Sequence, residues 1–211
     1  MSFQFDPRFN VGTAQFMRGL NLNRRTPLAQ RACEAAQGRT ISLEQARAHN
    51  RLDRFELGGN RFQLFHSGGY DNAELAALVI SHLGSAFKDW SIGIYFSQGA
   101  VKTYVLLKAS PFKTDFSPSL YDPAAKGSEV FNLNFNIHEG RMELSRLTSR
   151  ILGKGGAALI ALYNVAKGSG TRTIKYCVHD HNLHAKRFYA QMDFGAPTNP
   201  QWTKWEAKVE S

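Results

Sequence analysis

The stretch Arg150-Ile151-Leu152-Gly153-Lys154-Gly155-Gly156 constrains this chain more than any other. It follows a segment with strand character, Met142 to Thr148, and opens one with helix character, Ala157 to Lys167. A strand and a helix joined by a Gly-rich turn can form an anion site. The N–H groups of a helix's first turn have no intrahelical acceptor, and the macrodipole adds partial positive charge there. Glycine carries no Cβ, so its backbone can approach a phosphate closely. Two readings stay open on this stretch alone: a diphosphate cradle, or a loop whose glycines only turn the chain.

The flanking sequence supports an alternating α/β order. Phe131, Leu133, Phe135 and Ile137 share one face of a strand, with Asn132, Asn134 and Asn136 on the other. His138-Glu139-Gly140 makes a turn, and Met142 and Leu144 resume the apolar face opposite Glu143 and Ser145. The helix after the glycines is apolar nearly all round, from Ala157 to Ala166, which predicts a buried helix ended by Gly168 and Gly170. Thr171 to Val178 reads as a strand. Asp180 or Asn182 starts a helix that Phe194-Gly195 and Pro197 stop, and Gln201 to Val209 alternates as a last strand. Upstream, Arg61 to Phe65 reads as a short strand. A helix capped by Asp71 or Asn72 follows, and then a hairpin of Trp90–Phe96 and Val101–Leu107. Residues 109–129 hold three prolines and read as a long loop, either a substrate lid or a passive excursion.

Residues 1–60 differ in composition from 61–211. They hold nine arginines, no lysine and five acidic residues, a net +4; the other 17 basic and 12 acidic residues leave +5 in 61–211. Helices from Thr26-Pro27 to Gly38 and from Thr40 or Ser42 through Ala48 are expected, with Gly58-Gly59 breaking the chain. This divides the chain into a basic helical extension, 1–60, and a main domain, 61–211. Arginine's planar fork suits phosphate and carboxylate. Nucleic-acid binding by the extension stands beside the plainer reading of a solvated helical face. The total charge of +9 favours anionic partners.

No apolar run is long enough to cross a bilayer, and Met1 to Pro7 lacks the pattern of a secretory signal. Cys33 and Cys177 have no metal-ligand spacing and are expected to be small buried residues. Together these features predict a cytoplasmic protein. His179, His181 and His184 straddle a strand end and a helix start, with no carboxylate or cysteine to complete a ligand set, so no metal is expected.

The order strand, Arg-x-x-Gly-x-Gly, helix, strand, Asn-x-x-Ala-x-x-Phe-Tyr, Phe-Gly, strand resembles the GCN5-related N-acetyltransferases (GNAT family). The matching residues are Arg150, Gly153 and Gly155, then Asn182, Ala185, Phe188, Tyr189, Met192 and Phe194. The family's second block usually ends Gly-Phe; here Asp193 holds the glycine's place and Gly195 follows Phe194. The resemblance covers roughly 141–209. Within it, Glu143 to Leu147 is similar to divergent, phage-type members, a branch that includes proteins modifying DNA bases, and would point Arg146 into the site.

The resemblance implies an α/β fold: a mixed, mostly antiparallel sheet with helices on both faces, plus the Arg-rich extension. It implies transfer of acetyl from acetyl-CoA to an amine in a ternary complex. The pyrophosphate would lie on the backbone of Arg150, Gly153, Lys154, Gly155 and Gly156, and the pantetheine arm along Leu147 and Thr148. Asn182 would contact the cofactor. Tyr189 would protonate the departing thiolate, and Glu143 is the nearest base for the amine, unless a water chain replaces it. The acceptor stays open among a protein amine, a small amine and an aminoacyl-tRNA. Two alternatives remain: a non-catalytic structural or nucleic-acid-binding module of this fold, and a DNA-base-modifying enzyme.

Overall fold

The computed structural model describes residues 41–87, 89–107, 129–149, 154–192, 194–199, 201 and 203–209. The expected helix at 26–38, the loop at 109–128 and most of the Arg-rich extension lie outside these residues.

Local sequence chemistry sets the element ends. Helix α1 (Leu43–His49) is capped by Ser42 in a reciprocal box: Ser42 Oγ accepts from Gln45 N–H at 3.1 Å, and Gln45 Oε1 accepts from Ser42 N–H at 2.9 Å. Helix α2 (Ala73–Ala86) is capped by Asn72, whose Oδ1 accepts from Leu75 N–H at 2.9 Å. Strands β1 (Arg54–Leu57) and β2 (Asn60–His66) form a hairpin about Gly58-Gly59, both with positive φ. Such φ values suit the two-residue turn that matches strand twist. Sequence patterning missed β1, which is only four residues long. Strands β3 (Trp90–Ser97) and β4 (Ala100–Leu107) pair antiparallel as expected, and so do β5 (Glu129–His138) and β6 (Arg141–Ser149).

Helix α3 (Lys154–Gly168) begins three residues before the expected Ala157, so Gly155 and Gly156 lie inside its first turn. It is buried as its composition predicted. It leads into β7 (Thr173–Cys177), helix α4 (Leu183–Gln191), β8 (Ala196–Pro197) and β9 (Lys204–Lys208). The nine described strands form one sheet in the order β1-β2-β3-β4-β5-β6-β7-β9-β8. Only β2 with β3 and β6 with β7 pair in parallel; every other neighbouring pair is antiparallel. The parallel pairs are the ones joined through a helix, α2 and α3 respectively.

One continuous sheet face forms the core. Phe62, Leu64, Ile92, Ile94, Phe96, Val101, Leu133, Phe135, Met142, Leu144, Ile174, Tyr176, Trp205 and Ala207 are all buried and are linked across the strands by register. The four described helices gather on this face. Gly84 of α2 lies against Phe62, Gly168 of α3 against Leu78 of α2, and Gly155 of α3 against Phe188 of α4. Ile41, just ahead of α1, also touches Gly84. The sheet is mixed, mostly antiparallel and flanked by helices, as expected. The face opposite the core presents polar and charged side chains from β4 to β9, and Phe65 and Tyr95 from β2 and β3, where Gln63 and Ser91 are buried.

Candidate functional site

Strand β6 is the element on which the site is built. It pairs with β5 from Arg141 to Ser149, but with β7 only from Arg141 to Leu144, the last rung being Leu144↔Tyr176. Beyond that rung the two strands part. Strand β7 continues on its other side, with Cys177 opposite Lys204 and Val178 N–H donating to Thr203 O at 2.7 Å. Strand β6 continues against β5.

A bulge sits where they part. Phe135 faces Leu144 and Asn134 faces Arg146, so Ser145 is an extra residue. Its Oγ donates to Asn134 O at 3.1 Å. A bulge bends its strand and raises local twist, which accounts for a fork opening at this residue. Leu147 lies half-buried on the helix side of the fork and Thr148 is exposed. Both of these predicted cofactor residues therefore sit on the diverging arm.

The predicted phosphate residues are placed in part. Arg150 and Gly153 lie outside the described residues. Lys154 opens α3, directly after the diverging arm, and Gly155 and Gly156 are buried in its first turn. A Cβ on Gly155 would lie 3.4 Å from the Phe188 ring, an ordinary contact, which places the start of α3 against α4. That helical placement was not legible in the sequence, where these glycines read as a turn.

Asn182 caps α4. Its Oδ1 accepts from Ala185 N–H at 3.0 Å, and the residue is exposed. Tyr189, further along α4, is 7% exposed. Its ring lies 4.4 Å from that of Tyr176 and also meets Phe188, Phe194 and Trp205. Tyr176 belongs to the last rung before the fork, so Tyr189 stands at the fork's base on the helix side. Burial pushes the Tyr189 phenol well above its ordinary value, so it keeps its proton at neutral pH. The Tyr176 hydroxyl donates to Phe194 O and is shifted the same way, first by burial and then by the neighbouring Tyr189. Sequence reasoning missed Tyr176 and Trp205 as neighbours of Tyr189. Their alternation marked them as strand residues but gave no partner.

Glu143 lies on the other side of the sheet. It is exposed, opposite Asn136 on β5 and Lys175 on β7, and it lines a cleft of about 570 Å³. Lys175, Cys177, Lys204 and Glu206 line the same cleft, with Lys175 and Glu206 paired at 3.5 Å. Cys177 is exposed, which corrects the expectation of a buried small residue; strand pairing turns it onto the polar face. The His179 and His181 rings stack at 5.7 Å. Among the described residues no group of three or more His, Cys, Asp or Glu is arranged to hold a metal.

The arrangement thus has a forked strand pair, a buried protonated phenol at its base on one face, and a carboxylate one residue from its base on the other. No family model matches the chain, and no curated protein matches it. Among solved structures the chain is similar to the PaiA N-acetyltransferase from Thermoplasma acidophilum, solved in complex with coenzyme A, at 16% identity and a TM-score of 0.37. The match covers 52% of this chain and spans about 61% of that chain's length.

Proposed function

We propose that the protein is an acetyl-CoA-dependent N-acetyltransferase that transfers directly to an amine. The observation that carries this reading is the fork itself: β6 leaves β7 at Leu144↔Tyr176, and the buried Tyr189 packs against that rung. An arm that has left its neighbour offers backbone groups to an extended ligand, and here it leads to a helix N-terminus suited to phosphate. Leu147 and Thr148 would hold the pantetheine arm, and the segment from Arg150 to Gly156 the pyrophosphate. Asn182 would lend its remaining amide capacity to the cofactor. When bound, acetyl-CoA supplies an activated thioester.

The chain's own residues then handle two protons. Glu143 takes one from the attacking amine on the polar side of the sheet. Tyr189 gives one to the thiolate on the helix side as the C–N bond forms and the C–S bond breaks. Placement on opposite faces lets acceptor and cofactor enter separately, as a ternary complex requires.

Calorimetry with acetyl-CoA and thermal denaturation in its presence test the site. A ligand that binds only the folded protein raises its melting temperature, and no shift at millimolar cofactor would remove the reading. Tyr189→Phe should lower the maximal rate about 100-fold with little change in acetyl-CoA affinity. Turnover at the wild-type rate would strip Tyr189 of its role.

A second reading changes only the acceptor. The run Glu143–Leu147, which resembles phage-type members, is the segment that contains the bulge and the start of the fork. On this reading the acceptor is a DNA base. Mass analysis of nucleosides after incubating DNA with the protein and acetyl-CoA distinguishes it from transfer to free amines.

A further inference from the structure

The cleft on the polar side of the sheet holds equal numbers of both charges. Arg141, Lys175 and Lys204 line it against Glu139, Glu143 and Glu206. Lys175 and Glu206 pair at 3.5 Å and neutralise each other. The other four form no ion pair among the described residues. Strand register orders them. Glu143 of β6, Lys175 of β7 and Glu206 of β9 form one row across the sheet. Arg141 lies two residues before Glu143, so it emerges on the same face about 7 Å away, on the side remote from the fork. Lys204, opposite Cys177, lies on the fork's side of the row. Asn136, opposite Glu143, and Thr198 add neutral hydrogen-bonding groups.

This lining discriminates among amines. A polyamine would meet three cations, and a phosphodiester chain three carboxylates, and like charges brought together are disfavoured. An uncharged arylamine calls for apolar walls. The large apolar residues bordering the cleft, Met142, Tyr176 and Trp205, are buried in the core instead. An unpaired carboxylate beside an unpaired guanidinium suits a ligand that carries an ammonium and a carboxylate together, because arginine's planar fork takes a carboxylate in two hydrogen bonds. The volume of about 570 Å³ is that of a small-molecule site.

We propose that the acceptor is a small zwitterionic amine of the amino-acid class, bound in this cleft with its amine at Glu143 and its carboxylate on Arg141. This rests on the acetyl-transfer reading above and narrows its acceptor. Anchoring the carboxylate at Arg141, remote from the fork, turns the amine toward the side where the thioester arrives. The free-base amine attacks, the C–N bond forms and the C–S bond breaks. The amine proton goes to Glu143, the thiolate takes one from Tyr189, and exchange with solvent resets both groups.

The test incubates the full chain with acetyl-CoA and the standard L-amino acids, each beside the amine that lacks its carboxylate, such as cadaverine for lysine. Thiol release and product mass are followed. At least one amino acid should be acetylated with kcat/KM about 10-fold or more above that of its decarboxylated amine. Arg141→Ala should raise KM for that amino acid about 10- to 100-fold, leave kcat unchanged and leave the decarboxylated amine unaffected. Arg141→Lys should recover part of the loss. Arg141 is exposed, and thermal denaturation checks that the variants fold. An equal rise in KM for both substrates overturns the proposal. So does acetylation of spermidine or DNA but of no amino acid, and either result leaves the transfer reading standing. Absence of acetyl-CoA binding by calorimetry removes the transfer reading instead. In that case, or if no amine is acetylated, saturation-transfer NMR with the amino acids reads the cleft directly. Binding that is lost in Arg141→Ala upholds recognition of the zwitterion, and no binding, or binding that survives the substitution, overturns it.

Discussion

At the scale of single residues, two side chains and one glycine carry most of what is unusual. Both ring nitrogens of His66 are buried and have no hydrogen-bond partner among the described residues, while the ring stacks on Phe96 and meets Tyr70. Burial lowers its proton affinity first and nearby Arg51 adds to this; Asp53 and the Asn50 carbonyl pull the other way. The folded state therefore binds a proton less readily than the unfolded state. Stability is full above the ordinary histidine value of about 6.5 and falls as pH drops below it. His82 on α2, lowered by burial alone, acts in the same direction. His66→Phe should raise stability by about 1 kcal/mol at pH 7.5, through loss of the unpaired nitrogens, and flatten part of the acid slope. Urea unfolding at pH 7.5 and 5.5 measures both; an unchanged slope would show that His66 titrates normally. Tyr189 is the second such side chain, a phenol kept protonated inside an aromatic cluster. The glycine is Gly195. Its φ is +77°, and a Cβ there would fall 2.3 Å from Glu206 O. This gives the reversed Phe194-Gly195 order a physical reason, because the glycine must stand where the chain crosses β9.

At the scale of elements, small polar residues join what the sheet and helices separate. Asn60 at the start of β2 is fully buried. Its Nδ2 donates to Gly84 O of α2 at 2.8 Å, and its Oδ1 accepts from Trp90 N–H of β3 at 2.9 Å. One side chain therefore ties together both ends of the β2-α2-β3 crossover. Asn60→Ala would leave a carbonyl and an N–H unpaired in the interior, a loss of ~3 kcal/mol that chemical denaturation would detect. A loss under 1 kcal/mol would mean that water replaces it. The bulge in β6 has the opposite task, since it keeps two strands apart. Deleting Ser145 should restore regular β5–β6 alternation, with Arg146 still opposite Asn134 and Leu147 opposite Leu133, and remove the bend that parts β6 from β7. We expect a folded protein by circular dichroism that no longer binds acetyl-CoA, and retained binding would separate the fork from the bulge. Arg47 and Glu74 link α1 to α2 through two hydrogen bonds of 3.0 and 2.7 Å, and the strong exposure of both makes the pair an orientation device more than a source of stability.

At the scale of the whole molecule, a sheet of nine described strands with a buried face and a polar face brings two properties together. The centre should be the most stable part. Amides of Ile92–Phe96 and Leu133–Phe135 are expected to exchange slowest in native-state hydrogen exchange, and those of the edge strands β1 and β8 fastest. Protection at β8 equal to that of β3 would contradict this. Much of the architecture was legible in the chain because it rests on short-range physics. The two-residue period of Phe131–Ile137, the cap choices at Ser42, Asn72 and Asn182, and the glycine turns at 99 and 140 all depend on neighbours in sequence. The resemblance of 141–209 rested on such local spacings as well. Other features depend on partners far along the chain, which periodicity does not name. The parallel pairing of β2 with β3, the end of β6–β7 pairing at Leu144, the contact of Tyr189 with Tyr176 and the exposure of Cys177 are of this kind. So is the gathering of three cations and three carboxylates from β6, β7, β9 and the β5–β6 turn around one cleft. The sequence by itself determined most of the strand and helix segments and the caps and glycines that stop them, though not β1 or the start of α3. Only the tertiary structure decided which strands meet, because register is chosen by burial across the whole sheet, and that choice places the fork and the cleft beside it.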